Sequence, residues 1–448
     1  MSQARKSERV EQTERERPAE RGWTVRAGGR EDFPAVVEVV GEALLASDER
    51  EVSRERLAPL LAEDGYGRLL LAVEADRAGR GEPSGDERAV GDGRVIGSVN
   101  AFSFRMAVPG GIRPVAGVTG VGVWPTRRRQ GVLTALMRRQ LADIRDRGEN
   151  LAALWASEGA IYGRFGYALA NSEYRSSIRV EHARLRPDAP RDPGLSTELV
   201  RASGARADLE RVHATVASVQ TGRLQRSPAF WDAALRDTPD TREGRSSLKA
   251  VVVSGADGPR GYALYRTLRK GEDGNRASLH VEEITATSPA AWTALYEHLF
   301  TRDLVARVDF ASVAQDDPLQ YLLTDPTRLA TTFDDALWLR LVDVPAALAE
   351  RSYAAPVDVV LEVADRHAPW NAGRWHLRAD RSGAACEATV AAPDLSLDVS
   401  RLGAAHLGGN ALTGYLRTGL LTEHTPGAVN LLDTALSRPE APFCDQDF

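Results

Sequence analysis

The sequence predicts an α/β and α+β protein built from several domains. Three observations carry that prediction. Helix and strand patterns alternate up to about Leu337. A Gly-led strand followed by a strand that turns through a proline into a helix occurs twice, first in "GSVNAFSF…VTGVGVWPTRRRQGVLTALM" and again in "GYALYRTL…VEEITATSPAAWTALYEHL". Beyond Leu337, short strands come first and helices follow. With 448 residues the chain is too long for one hydrophobic core, and about two to four domains are expected.

Folding signals begin at "WTVRAG", after a mixed-charge stretch, residues 1–21, that lacks large apolar residues and reads as a disordered tail. "EDFPAVVEVVGEALL" is helical in period, with Phe33, Val36, Val37, Val40 and Leu44 on one side. "GRLLLAVEA" reads as a strand, and "RAGRGEPSGDERAVGDGR" as a Gly-rich loop. The strands "VIGSVNAFSFRMAVPG" and "VAGVTGVGVW" flank the turn "PGGIRP". A helix, "GVLTALMRRQLADIRDRG", and a strand, "LAALWA", follow. Proline density in "RPDAPRDPG" marks a boundary near residues 186–194. The second region holds helices in "ADLERVHATVASV" and "SPAFWDAALRD", and strands in "KAVVVSG", "GYALYRTLR" and "ASLHVEEITATS". Its last helix, "PAAWTALYEHLFT", carries Pro289 near its first turn. The third region has strands in "VDVVLEVAD", "GRWHLRAD", "ACEATV" and "LSLDVS", then helices in "RLGAAHLGG", "NALTGYLRTG" and "AVNLLDTALS".

Composition narrows the function classes. Apolar content of 43% and charged content of 27% are ordinary for a globular protein. A net charge of −6 disfavours a nucleic-acid partner and is compatible with a cationic substrate. Cys386 and Cys444 are the only cysteines, so neither a disulfide framework nor a cysteine metal cluster is expected. No apolar run approaches a membrane span, the N-terminus has no secretory apolar core, and a cytoplasmic protein is the expectation. His213, His280, His298 and His406 follow no metal-ligand spacing and are expected in structural or solvent positions.

The chemistry concentrates at "PTRRRQGVLTALM". Arginines, a glutamine and a glycine lie where a strand becomes an amphipathic helix. The first N–H groups of a helix lack partners, and the helix dipole adds partial positive charge there. Glycine admits a phosphate close to the backbone, and arginines add donors. The stretch is equipped to hold a pyrophosphate. The second copy lacks the arginines and the glycine at this place.

Arg128-x-x-Gly131 after a strand resembles the acetyl-CoA signature of the GNAT acetyltransferases. Leu133 stands where that superfamily generally has a small residue. The longer run "VGVWPTRRRQGVLTALMRRQLADIRDRGENLAALWASEGAIYGRFGYALA" is similar to the Eis (enhanced intracellular survival) branch, with its V-x-V-x-P-T-x-R-R-x-G-x-L core and A-S-E-G-x-I-Y-G-R-F-G-Y. The resemblance implies two GNAT-like domains, the second degenerate, and a sterol-carrier-protein-like third domain. The implied bounds are residues 22–180, 181–336 and 337–448. It also implies an acetyl-CoA-dependent N-acetyltransferase, assembled as a homohexamer. Val121, Gly122 and Val123 would pair with the pantetheine arm. Arg128, Arg129, Gln130, Gly131, Val132, Leu133 and Thr134 would hold the pyrophosphate. Ser157 and Glu158 would complete the cofactor site, and they also read as a helix N-cap with a first-turn acid.

For catalysis, the motif selects Tyr162 as the acid that protonates the departing thiolate, over Tyr167 and Tyr174 nearby. In this branch a terminal carboxylate acts as the base, which here is that of Phe448 in "APFCDQDF". The side-chain carboxylates of Asp445 and Asp447 are the alternatives, as is a packed tail without chemistry. Trp155 and Asp447 are candidates for the acceptor pocket, with Phe33 and Trp231 behind them. Aminoglycosides are the acceptors the family implies. A protein lysine or a polyamine is the rival acceptor, and a lipid-binding protein using the third domain is the rival from another class.

Overall fold

The computed structural model describes residues 22–45, 59–60, 62, 66–75, 93–269 and 276–448. The expected tail over residues 1–21, and most of the Gly-rich loop expected over residues 77–94, lie outside them. Contacts divide the chain into two compact units. One lies within Met1–Phe102 and Thr119–Gln140, the other within Ser103–Val118 and Leu141–Phe448.

In the first unit, β1 (Trp23–Ala27) leads to helix α1 (Phe33–Leu44), and β2 (Leu70–Ala75) lies antiparallel between β1 and the start of β3 (Gly93–Val108). Strand β4 (Gly111–Val123) then feeds helix α2 (Val132–Asp146). Asp32 starts α1. It is buried, accepts from Gly29 N at 2.9 Å, and pairs with Arg26 at 2.7 Å. The Arg26 bond holds its carboxyl below the usual range. The apolar side of α1, through Val36 and Val39, packs on Leu69, Leu71, Val73 and Val95. Gly97 lets α2 approach β3, since a Cβ there would lie 2.9 Å from Val132 and 3.2 Å from Leu136.

In the second unit, β4 pairs parallel with β5 (Leu151–Trp155) over Val115–Leu151 to Gly117–Ala153. A one-turn helix α3 (Gly159–Tyr162), β6 (Ala168–Leu169) and β7 (Ser172–Arg179) follow. The next run is β8 (Ser196–Arg201), helices α4 (Arg206–Ala217), α5 (Pro228–Ala234) and α6 (Pro239–Arg242), β9 (Lys249–Gly255), β10 (Gly258–Leu268), β11 (Ala277–Ala286), α7 (Pro289–Phe300), β12 (Val305–Val313), α8 (Leu319–Leu322) and β13 (Ala330–Asp335). These strands build a seven-stranded sheet in the order β13-β7-β12-β11-β10-β9-β8, in which only β11 and β12 run parallel.

Alternation along β9 and β10 explains the layers of this sheet. Ala250, Val252, Tyr262 and Leu264 pack under Leu209 and Val212 of α4 and Trp231 of α5. Val251, Val253, Ala263 and Tyr265 pack against Leu295, Tyr296 and Leu299 of α7 on the other face. Gly261 repeats the role of Gly97, because a Cβ there would stand 2.8 Å from Ala286 and 3.1 Å from Leu295. The repeat read in the sequence is therefore a repeat of packing.

Two strands cross the expected bounds. β7 joins the second sheet, and β14 (Leu337–Leu341) inserts between β5 and β6, antiparallel to both. Arg340 of β14 is fully buried and pairs with Asp365 at 2.6 Å. The third region comprises α9 (Val344–Ala349), β15 (Val357–Ala364), β16 (Gly373–Asp380), β17 (Gly383–Ala388), β18 (Leu395–Asp398), α10 (Val399–Ala405), α11 (Thr413–Arg417), β19 (Leu421–Glu423) and α12 (Ala428–Leu436). Its sheet runs β17-β16-β15-β18-β19.

Candidate active site

The strand-to-helix junction of the first unit is exposed and strongly curled. After β4, a single 3-10 turn (Pro125–Arg127) leads to Arg128 in extended conformation, Arg129 at φ 63° and Gly131 at φ 81°. A non-glycine residue in the left-handed region costs on the order of 1–2 kcal/mol, so the loop holds Arg129 against local preference. A Cβ on Gly131 would meet nothing within 4 Å, which leaves open space beside the backbone. The three arginines differ. Arg127 is committed to Glu74 at 2.9 Å, and Arg128 donates to Ala43 O at 3.2 Å. Arg129 is exposed and unpaired among the described residues. The first intrahelical bond runs from Ala135 N to Gly131 O, so the preceding N–H groups of α2 have no helical acceptor. Free donors, an unspent guanidinium and open space beside a glycine fit a pyrophosphate. On β4, Gly120 at φ 60° interrupts the regular strand just before Val121, and its carbonyl accepts from Ser98 Oγ at 2.8 Å. Gly122 lies against Val39 and Val40 of α1.

In the second unit, Ser157 and Glu158 are exposed after β5. Glu158, not Ser157, is the N-cap of α3, and its side chain makes no capping bond. The N-cap expected from that dipeptide is thus shifted by one residue, because the chain stays extended through Glu158. Tyr162 closes α3. It is 9% exposed, and its phenol is pushed up to about 12, first by burial and then by the Glu158 charge. Tyr167, edge-on to it at 6.3 Å, is fully buried and raised further still. Tyr162 is the better exposed of this pair.

Phe448 sits with its ring 4.8 Å from that of Phe104, which in turn packs on Phe230 at 5.1 Å. Gly117 of β4 makes this possible. A Cβ there would fall 2.3 Å from Phe104 and 3.0 Å from Phe448. The tail that ends in Phe448 is tied down by Trp155, whose indole N–H donates to Gln446 O at 3.0 Å. Asp447 is exposed. Its charge adds to what burial does to Glu173, a β7 carboxyl raised to about 7 although Ser312 donates to it at 2.5 Å.

Asp445 behaves differently. It lies 2.5 Å from Arg223, 3.1 Å from Arg226 and 3.2 Å from His213, all buried. Burial alone raises a carboxyl, but the two guanidinium groups outweigh it and hold Asp445 far below the usual carboxylate range. It is therefore no base near neutrality. His213 takes a structural position in this buried cluster. Residue spacing hid that it converges with Glu283 and Asp445 to within 4.8 Å. Arg223 and Arg226 already supply the cations in that cluster. Trp231 and Phe33 are corrections to the sequence reading. Trp231 is buried under the Arg226 guanidinium at 4.9 Å, and Phe33 is buried edge-on to Tyr66 at 6.0 Å. Both belong to cores, where aromatic rings bury most area. Gly117, Phe104, Arg223 and Arg226 contact the chain's last residues, and sequence reasoning missed all four. Only the glycine-rich alternation in "VAGVTGVGV" hinted at any of them.

Comparison with known proteins agrees with this anatomy. Residues 24–170 match one acetyltransferase (GNAT) domain family, 222–341 a second, and 344–445 a sterol carrier protein domain. An uncharacterised N-acetyltransferase of Streptomyces coelicolor is 41% identical over 360 residues, 79% of this chain and 86% of its own length. The N-acetyltransferase Eis of Mycobacterium tuberculosis is 35% identical over 351 residues, 77% of this chain and 83% of its own. Among solved structures, Eis1 of Mycobacterium abscessus superposes with a TM-score of 0.76 at 33% identity, covering 95% of this chain and 100% of that one.

Proposed function

The chain belongs to the Eis family of GNAT N-acetyltransferases, and from that premise we propose that it moves the acetyl group of acetyl-CoA to an amine of a polycationic small molecule, of the aminoglycoside class. The observation that supports cosubstrate binding most directly is the junction at Arg129 and Gly131, whose donors are unspent. Val121, Gly122 and Val123 pair with the pantetheine arm; Arg128 to Thr134 hold the pyrophosphate, with Ser157 and Glu158 beside the cofactor. Acetyl-CoA supplies an activated acetyl thioester, and the chain's own groups move the protons.

The α-carboxylate of Phe448 takes a proton from the acceptor's ammonium, which frees the nitrogen lone pair for the acetyl carbon. The residue that bears this carboxylate is anchored by the contact of its ring with Phe104. A backbone N–H of Val121–Val123 donates to the carbonyl oxygen as negative charge builds there. As the C–S bond breaks, Tyr162, held protonated by burial, gives its proton to the departing sulfur, and the proton shed by the new amide nitrogen restores the phenol through solvent. Asp447 and Trp155 line the acceptor side, where an exposed carboxylate suits a cation. In this reading residues 22–180 form the catalytic domain, 181–336 the degenerate copy and 337–448 the third domain. The enzyme works in the cytoplasm, as a hexamer, without a metal.

The test is acetyl-CoA turnover across a kanamycin-like amine, a polyamine and a lysine peptide. Preference for the first supports the proposal. Preference for the peptide or the polyamine moves the acceptor to the rival class. Absence of turnover with all three overturns it.

A further inference from the structure

The last eleven residues, Arg438–Phe448, form no helix or strand, yet Pro442, Phe443, Cys444 and Gln446 are buried. The second GNAT-like copy holds much of this tail. Asp316 accepts from Ala441 N at 2.8 Å, and Thr221 O accepts from Phe443 N at 2.9 Å. A Cβ on Gly222 would stand 3.0 Å from Phe443 N, so that glycine lets the two backbones touch. Two residues on, Asp445 enters the cluster of Arg223, Arg226 and His213. Arg226 also pairs with Glu283 at 2.9 Å and donates through Nε to Gln446 Oε1 at 3.2 Å. Two guanidinium groups thus face two carboxylates, and the charges balance only while Asp445 is in place.

The tail lies along the opening between two strands. β11 and β12 pair in parallel as far as Val281 and Phe310, and then each continues beside a different neighbour. The space they leave has a volume of about 380 Å³, and Thr285, Ser312, Glu440 and Phe443 help to line it. In the first copy, the residues proposed for the pantetheine arm, Val121–Val123, likewise follow the last parallel pair of β4 with β5. In the second copy the helix that follows β11 is capped by its own Ser288 and carries Pro289, so its first turn has fewer donors to offer.

We propose that this second copy has exchanged a cosubstrate for the chain's own tail, and that Arg223 and Arg226, by clamping Asp445, are positioning residues for the Phe448 carboxylate. A buried ion cluster contributes little net stability and much geometric definition. From Asp445 only two residues separate the clamp from Phe448, too short a span for the terminus to wander far. The inference rests on the reading of Phe448 as the base.

The test compares Asp445→Asn in the native protein with the same substitution in a protein extended by a few residues after Phe448. In the native protein, kcat should fall at least about tenfold, with acetyl-CoA affinity unchanged. Asp445→Glu should recover part of the rate. In the extended protein, whose terminal carboxylate has become an amide, Asp445→Asn should have no further effect on the residual rate. Because Asp445→Asn leaves two arginines buried with one anion, the double variant Asp445→Asn, Arg223→Met restores the balance of charge. It should fold normally and still have low kcat. Full kcat in Asp445→Asn, or the same proportional loss in native and extended proteins, overturns the clamp. Loss of acetyl-CoA affinity together with kcat in both the single and double variants also overturns it. Full activity of the extended protein by itself refutes Phe448 as the base, a failure separable from that of the clamp.

Discussion

The two GNAT-like copies share a strand that turns into a helix, and they differ in what the turn does with its donors. In the first, the chain passes through left-handed Arg129 and Gly131, and the N–H groups of the first turn of α2 are left without helical acceptors. In the second, Ser288 Oγ accepts from Ala291 N, and Pro289 removes a further N–H. The next helical turn differs as well. Tyr162 of α3 is 9% exposed, while Tyr321 of α8 is 70% exposed. The same backbone plan thus leaves the helix end unsatisfied in one copy and capped in the other. Only the first copy buries the tyrosine of that turn.

Placing an acid at each junction breaks that comparison most severely. Gly131→Glu adds a negative side chain at a residue with φ 81°, and it should abolish acetyl-CoA binding measured by calorimetry, a loss of at least about 100-fold. Ala290→Glu in the second copy should leave acetyl-CoA affinity unchanged. Two acetyl-CoA molecules per chain would show that the capped junction still binds.

The tyrosines give the next test. Tyr162→Phe should lower kcat by about 100- to 10,000-fold with acetyl-CoA affinity held, whereas Tyr321→Phe should change neither. Since burial and Glu158 raise Tyr162 to about 12, its proton is retained well beyond pH 10. An alkaline fall in kcat with an apparent pKa near 10 would mean that the phenol titrates as an exposed one.

The smallest effect concerns likeness, not difference. Gly97→Ala and Gly261→Ala push a Cβ against α2 and α7 respectively. Each should cost about 1–3 kcal/mol of stability, read from denaturant midpoints. A cost in one copy alone would show that the two helices do not approach their sheets in the same way.

What was legible in the sequence is what local chemistry encodes. Pro125 and Gly131 around the arginines mark a turn that begins a helix, and Gly97 and Gly261 recur in equivalent strands. The unbroken apolar run in "KAVVVSG" marks β9 as a strand. What stayed hidden depends on partners far along the chain. Arg127, Arg128 and Arg129 look alike until Glu74 and Ala43 claim the first two. His213, Glu283 and Asp445 have no spacing in common, and only the fold makes them neighbours. β7 and β14 carry no mark of the sheet they will join, because register is set by what lies opposite.

The insertion of β14 between β5 and β6 has a consequence for how the protein is made. Residues 151–155 and 168–169 leave the ribosome long before residues 337–341. Until then β5 has no strand on that side, and an open edge rich in Leu and Ala waits in the nascent chain. At about 5–20 residues per second, synthesis of the intervening segment takes on the order of ten seconds or more. Pairings of such long sequence separation are also slow to form. A fragment ending at residue 180 should therefore aggregate or bind chaperones, and a synonymous slow stretch before Leu337 should lower the yield of folded enzyme without altering a single residue.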